Sequence, residues 1–505
     1  MRRRYLLLVA LATGGLAFPS GWSEARAGDE AAERPAYKVV TKRLGKLPRM
    51  GAPPVFSDDG CHVACVTRGG RGMSVFVDAE TGPEYNGIAP GSLHFSPDGD
   101  RMAYAVKKRD KELFVLDGKE GPGYEHVGNF VFSYNGERFA YVAVEGNRQF
   151  VVVDGKRGSQ YESIAENSLL FSPDSRRVAY VAAEGGKCFV VVDGKEGAKY
   201  DGTGKGSLGF SPDGKRVAYE GARANKRFVV VDGKEGPAYE AVQRPVLGPD
   251  GKRIAYVARE GDKYAVIADD QKGPWYDGIG EDSLHFSPDG KHLGYMAGKG
   301  GKRFIVVDGE QGAAYDGIGK GHPVFSRDGK RVAYVAQKGD EQFVVLDGKK
   351  GPGYDGIVSD IVFSPQGKHV AYAAREGEQH FVIVDGKEGP KYDGIAAGSL
   401  GFSPDGKRVK YVAQKGDKQL AVVDGREGPA YHSVFASFSP DGKHLACVVR
   451  ERRHGKMFVA VDGAKSPPYD GIMKNGPTFR EGGVLEYLAR NEGALLRVKH
   501  VPIKE

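Results

Sequence analysis

The sequence predicts an all-β protein, a β-propeller of twelve four-stranded repeats of about 39 residues each. Three observations lead there. An apolar anchor recurs at Phe56, Phe95, Phe132, Phe171, Phe210, Leu247, Phe286, Phe325, Phe363, Phe402, Phe438 and Phe479, at intervals of 36 to 41 residues. Behind most anchors stands a turn signal, fullest in Phe210-Ser211-Pro212-Asp213-Gly214-Lys215-Arg216-Val217-Ala218-Tyr219. An apolar run closed by Asp-Gly follows, such as Phe228-Val229-Val230-Val231-Asp232-Gly233.

Residues 207–244 show each element in order. Ser207 to Phe210 is a first strand, ended by a turn in which Pro212 presets φ and Asp213-Gly214 completes the reversal. Arg216 to Tyr219 is the second strand and Phe228 to Val231 the third, closed by an Asp-Gly hairpin signal. A fourth strand is expected to begin near Tyr239. The third strands are apolar without alternation, as in Phe150-Val151-Val152-Val153, so both faces of each sheet must be covered. Stacking blade on blade does this, and closing the array into a ring removes its exposed ends.

The Phe-Ser-Pro-Asp-Gly-Lys-Arg-Val-Ala-Tyr pattern resembles the WD40-like repeat of TolB-type and prolyl-oligopeptidase-type propellers, over roughly residues 50–500. The resemblance implies the fold. The α/β domain of TolB-type proteins and the hydrolase domain of oligopeptidases have no room here, and Gly389-Pro390-Lys391-Tyr392-Asp393-Gly394-Ile395 departs from both families.

The ends bear on the number of rings. The last repeat lacks a fourth strand, and Tyr37 to Val40 precedes the first repeat. In a single twelve-bladed ring these segments latch together. In two tandem six-bladed propellers, Tyr37 to Val40 completes the sixth repeat and Trp275 to Ile279 the twelfth. The sixth repeat is irregular, with Leu247-Gly248-Pro249-Asp250 and Ala268-Asp269-Asp270. The expectation is therefore two rings, at 37–270 and 271–505, with one ring as the alternative.

Residues 1–27 read as a signal peptide: Arg2-Arg3-Arg4, an apolar stretch from Tyr5 to Phe18, and an Ala25-Arg26-Ala27 cleavage site. A short segment, 28–36, follows. An incomplete twin-arginine motif leaves Sec and Tat export both open. The apolar run is short for a membrane span, so the expected product is exported, periplasmic or secreted, with no transmembrane segment after cleavage. Loss of Arg2, Arg3, Arg4, Arg26 and Glu24 lowers the formal net charge from +7 to +4. So small a charge, together with export, argues against a nucleic-acid partner. Cys61 and Cys65, four apart on one expected strand, are too distant for a disulfide. All four cysteines read as small buried hydrophobes.

No Gly-x-Ser-x-Gly, His-Glu-x-x-His or phosphate loop occurs, and no catalytic residue, cofactor or metal is expected. Asp193, Asp232, Asp308 and Asp385 precede Gly in hairpins and read as turn residues. His292, His369 and His444 replace the Arg of the Lys-Arg pair and read as exposed. His94, His285 and His322 lie on first strands, nearest a central channel, and are the channel candidates. One face of the meander carries monotonous turns. The other varies and bears Lys108, Arg109, Lys226, Arg303 and Arg453, the candidate binding residues. The function this favours is a non-catalytic exported scaffold for a protein or an acidic polysaccharide. The alternative is a propeller hydrolase or lyase acting on a cell-envelope or polysaccharide substrate.

Overall fold

The computed structural model describes residues 37–46, 53–70, 72–78 and 80–503. The expected leader at 1–27 and the segment at 28–36 lie outside the described residues. The described residues belong to one compact unit and form twelve antiparallel sheets, numbered here as blades 1 to 12 after their anchors. Their one helical element is the short turn Glu481–Gly483.

Blade 5 shows the plan. Its inner strand comes in two pieces, Gly202–Thr203 and Gly209–Phe210, both paired with Val217–Arg223. That strand pairs in turn with Lys226–Val231, which pairs with Lys234–Glu235. The outer strand thus starts directly after the Asp-Gly turn, and Tyr239 ends it by bridging Arg227, where the sequence suggested a start. The reason is the turn: Asp232 and Gly233 both take positive φ (50° and 81°), a two-residue reversal that sets Val231 opposite Lys234. Each Tyr-Asp-Gly-Ile segment consequently straddles two blades. Tyr200 closes blade 4, and Gly202–Thr203 opens blade 5.

The Ser-Pro-Asp-Gly turns lock locally and across blades. Ser211, fully buried, accepts the Arg216 N–H at 2.9 Å, and its hydroxyl donates to Asp213. Gly214 has φ 74°, and a Cβ there would lie 2.4 Å from Asp174 of blade 4, so glycine permits the close approach. Between blades 4 and 5, Val181 and Val190 meet Leu208, Tyr219 and Phe228. The joint between blades 6 and 7 is of the same kind, with Ala255, Val257 and Val266 against Leu284, Tyr295 and Phe304.

The pairing of the chain ends bears on the number of rings. Tyr37–Lys46 pairs with Ala494–Pro502, from Tyr37 opposite Pro502 to Lys46 opposite Ala494. Gln271–Lys272 and Tyr276 pair within blade 6 itself. Leu488 and Leu495 of blade 12 pack with Val63 and Phe56 of blade 1. These are the pairings that the single-ring alternative requires. The apolar faces on the two sides of residue 270 cover one another.

Candidate binding site on the inner wall

The face of variable hairpin tips proves to be ordered by the Tyr-Asp-Gly segments. Asp201 accepts the Ala224 N–H of the next hairpin at 2.7 Å and the Lys187 ammonium at 2.5 Å. Asp277 does the same with Gly300 and Lys263, and Asp316 with Gly339 and Lys302. Lysine first, then the amide, holds each of these carboxyls below its usual range. Of the five candidate residues, Lys108 pairs with Glu120 at 2.6 Å and Lys226 with Glu260 at 3.3 Å. Arg109 sits at a left-handed tip (φ 57°) whose amide is held by Asn86. Arg303 and Arg453 are exposed on separate blades. These five residues are distributed over blades 2, 5, 7 and 11.

The opposite face is a series of clasps. Arg177 donates to Asp193 at 2.9 Å and to the Lys215 carbonyl of the next blade at 2.6 Å, and stacks 5.4 Å from the Phe210 ring. The hairpin Asp residues take positive φ, as turn residues should, and also receive these cations. His292, His369 and His444 are half-buried rather than exposed, because each takes the arginine's place against Asp308, Asp385 and Asp462. Cys61 lies in a turn rather than on a strand, and all four cysteines are free thiols, two buried and two half-buried.

On the inner wall, His285 and His322 stack with centroids 5.1 Å apart and rings 9° from parallel. Burial, and secondarily His322, pushes the His285 pKa down. His94 stands apart from them, edge-on to Phe130 at 5.1 Å. Among the described residues no group of three or more His, Cys, Asp or Glu is placed to hold a metal.

A cavity of about 710 Å³ opens where the repeat is shortened. Blade 6 is two residues shorter from Tyr239 to Leu247 than blade 5 is from Tyr200 to Phe210, and blade 3 is shortened equally between Tyr124 and Phe132. Blade 3 heals the deletion with one continuous strand, His126–Phe132, which bulges at Asn129 (φ 40°) and sets Phe130 opposite Tyr141. Blade 6 has Arg244 and Pro245 at those two places. Pro245 has no N–H to pair with, and it confines Arg244 to extended backbone, where the bulge needs positive φ. The strand breaks into Ala241–Val242 and Val246–Leu247. Gly209, Phe210, Pro245 and Phe286 help form the cavity walls. Exposed Arg244, Glu281 and Asp282 line it as well, with half-buried His285.

His285 was visible in the sequence as an inner-strand residue; Arg244, Glu281 and Asp282 were not. The available signal was the short interval before Leu247, with proline where blade 3 has phenylalanine.

No family model matches the chain, and no curated protein does. Solved structures do. A eukaryotic initiation factor is 13% identical, covers 73% of this chain and 96% of its own, and has a TM-score of 0.36. TolB from Acinetobacter baumannii is 15% identical over 64% of this chain and 77% of its own (TM-score 0.23). A GH74 enzyme from Niastella koreensis is 10% identical over 90% and 99% (TM-score 0.26). The chain is a β-propeller. At these identities and TM-scores the comparisons carry nothing about activity, ligand or partner.

Proposed function

We propose that this propeller is an exported, non-catalytic scaffold that binds a protein or an acidic polymer. The inner-wall cavity of blades 5–7 carries the reading. Elsewhere the repeated side chains are spent on neighbouring blades through the Arg–Asp clasps and the aspartate-held tips, whereas the cavity pairs apolar walls with charged residues. Arg244 has no ion pair among the described residues. Export rests on the Arg2–Arg4, Tyr5–Phe18 and Ala25–Ala27 pattern.

The test is affinity capture with the protein lacking residues 1–27, from envelope extract and from a panel of acidic polysaccharides, alongside a hydrolase and lyase screen. Saturable capture without turnover is expected, and turnover of a captured polysaccharide would replace the scaffold with an enzyme. N-terminal sequencing of the product should begin at or near Gly28, and an intact Met1 terminus in the cytosol would refute export.

A further inference from the structure

The joints between blades 2 and 3 and between blades 5 and 6 occupy equivalent places in the repeat, and one is filled where the other is open. At the first, the Phe130 ring lies 5.1 Å from His94, 5.1 Å from Phe114 and 5.8 Å from Phe139. At the second, the four equivalent positions hold Pro245, Gly209, Val229 and Ile254. Each aromatic residue is replaced by a smaller one, and the replacements lie up to 45 residues apart in the chain, from Gly209 to Ile254. Two of them, Gly209 and Pro245, line the cavity, while Val229 and Ile254 are buried in the core behind it.

We infer that the cavity receives an aromatic side chain from a protein partner, seated as the chain's own Phe130 is seated at the blade 2–3 joint. The inference rests on the scaffold reading above and narrows it to a peptide. Phe210 and Phe286 offer ring contacts to the incoming side chain. Glu281 and Asp282 on the lining oppose an acidic polymer at this place, while Arg244 beside them suits a peptide, whose backbone presents both carbonyls and N–H groups. The cavity volume suits a side chain with its flanking backbone.

The probe is N-acetyl-phenylalanine amide, compared with N-acetyl-alanine amide by saturation-transfer NMR on the protein lacking residues 1–27. The phenylalanine probe should bind with a dissociation constant on the order of millimolar, at least fivefold tighter than the alanine probe. Two variants fill the cavity from within. Pro245→Phe restores the blade 3 residue, and Gly209→His restores that of blade 2, where a Cβ meets only the Arg244 side chain, at 3.9 Å. Either variant, if its thermal unfolding matches the parent, should lose at least fivefold in probe binding. Equal binding of the two probes, or undiminished binding by a folded variant, overturns the inference. Capture from envelope extract separates the two readings. Capture that survives both fillings removes the cavity and leaves the scaffold; probe binding without any capture removes the scaffold and leaves the cavity.

Discussion

At a repeated joint such as that between blades 4 and 5, one arginine does three things. Arg177 ties its own hairpin through Asp193, crosses to the Lys215 carbonyl, and covers the Phe210 ring. The seam between blades 12 and 1 has no such residue. Phe479-Arg480-Glu481-Gly482-Gly483 lacks the Ser-Pro-Asp turn, and Val484 stands where the arginine would be. Two other arginines cross instead. Arg480 reaches Asp59 at 2.5 Å and the Cys61 sulfur at 2.7 Å, while Arg497 reaches the Cys61 carbonyl at 2.8 Å and Asp78 at 3.3 Å. Nearly buried Glu486 lies beneath both, with Lys499 Nζ at 3.3 Å. The repeated joint is redundant and half-exposed; the seam is unique and more enclosed. Charges there are harder to release to water, so the seam should be the sensitive place in the ring.

The largest effect should come from breaking the ring. Expressed apart, residues 37–270 and 271–505 should fail to fold, because the cut bares the joint between blades 6 and 7 and separates Tyr37–Lys46 from its partner strand. Size exclusion and circular dichroism should show aggregates singly and a folded complex when the halves are mixed. Two halves that each melt cooperatively would support the two-ring division.

Next come the arginines. Arg480→Ala should cost about 3 kcal/mol, since it strands Asp59 and removes one of the three cations around enclosed Glu486. Arg216→Ala, at a repeated clasp of the same chemistry, should cost about 1 kcal/mol. Urea titration of both variants checks the ratio, and equal losses would erase the distinction between seam and joint.

Acid should sharpen the contrast further. His500, on the strand that Tyr37–Lys46 latches, is buried beside the Tyr487 hydroxyl, and burial pushes its pKa down to about 4. It stays neutral in the fold, whereas an unfolded histidine takes up a proton near pH 6.5. Stability from this group is therefore full above pH 6.5 and falls between 6.5 and 4, by up to about 3 kcal/mol. His62, across the seam, is raised by its hydrogen bond to Asp78. Its contribution is full below 6.5 and is lost as pH climbs through its folded value. Thermal midpoints of His500→Phe between pH 4 and 7 should run flatter than the parent's; an unchanged slope would clear His500 of the effect.

The smallest effect concerns two turns in which another residue stands in place of glycine. Asp270 (φ 63°) replaces the glycine of an Asp-Gly hairpin, so Asp270→Gly should stabilise by about 0.5–1 kcal/mol. Ser175 (φ 63°) replaces a Ser-Pro-Asp-Gly glycine, but its hydroxyl accepts the Asn135 N–H at 3.0 Å. Ser175→Gly should gain less, and calorimetry of the two variants orders them.

The blades themselves were legible because their determinants are local. Pro212 presets a turn, Asp232-Gly233 demands a two-residue hairpin, and an unbroken Phe-Val-Val-Val run needs cover on both faces. The outer strand was misplaced because Lys234-Glu235 carries no apolar signal; the turn geometry, rather than composition, sets it there. The five basic residues looked like one face in the chain. In space Lys108 and Lys226 face carboxylates of their own or the next blade, a pairing that repeat spacing alone does not reveal.

Composition and period, by themselves, determined an all-β propeller of twelve sheets, since a 36–41-residue repeat of short strands and obligatory turns leaves the chain few other ways to bury its apolar runs. Tertiary structure alone decided which strand meets Tyr37–Lys46, because antiparallel pairing between the chain's two ends leaves no mark in local sequence. It also decided that one deletion heals at Phe130 and the other opens at Pro245. The outcome depends on whether the facing residue is His94 or Gly209, more than thirty positions away, and on a missing N–H that matters only once a neighbouring strand presents its carbonyls.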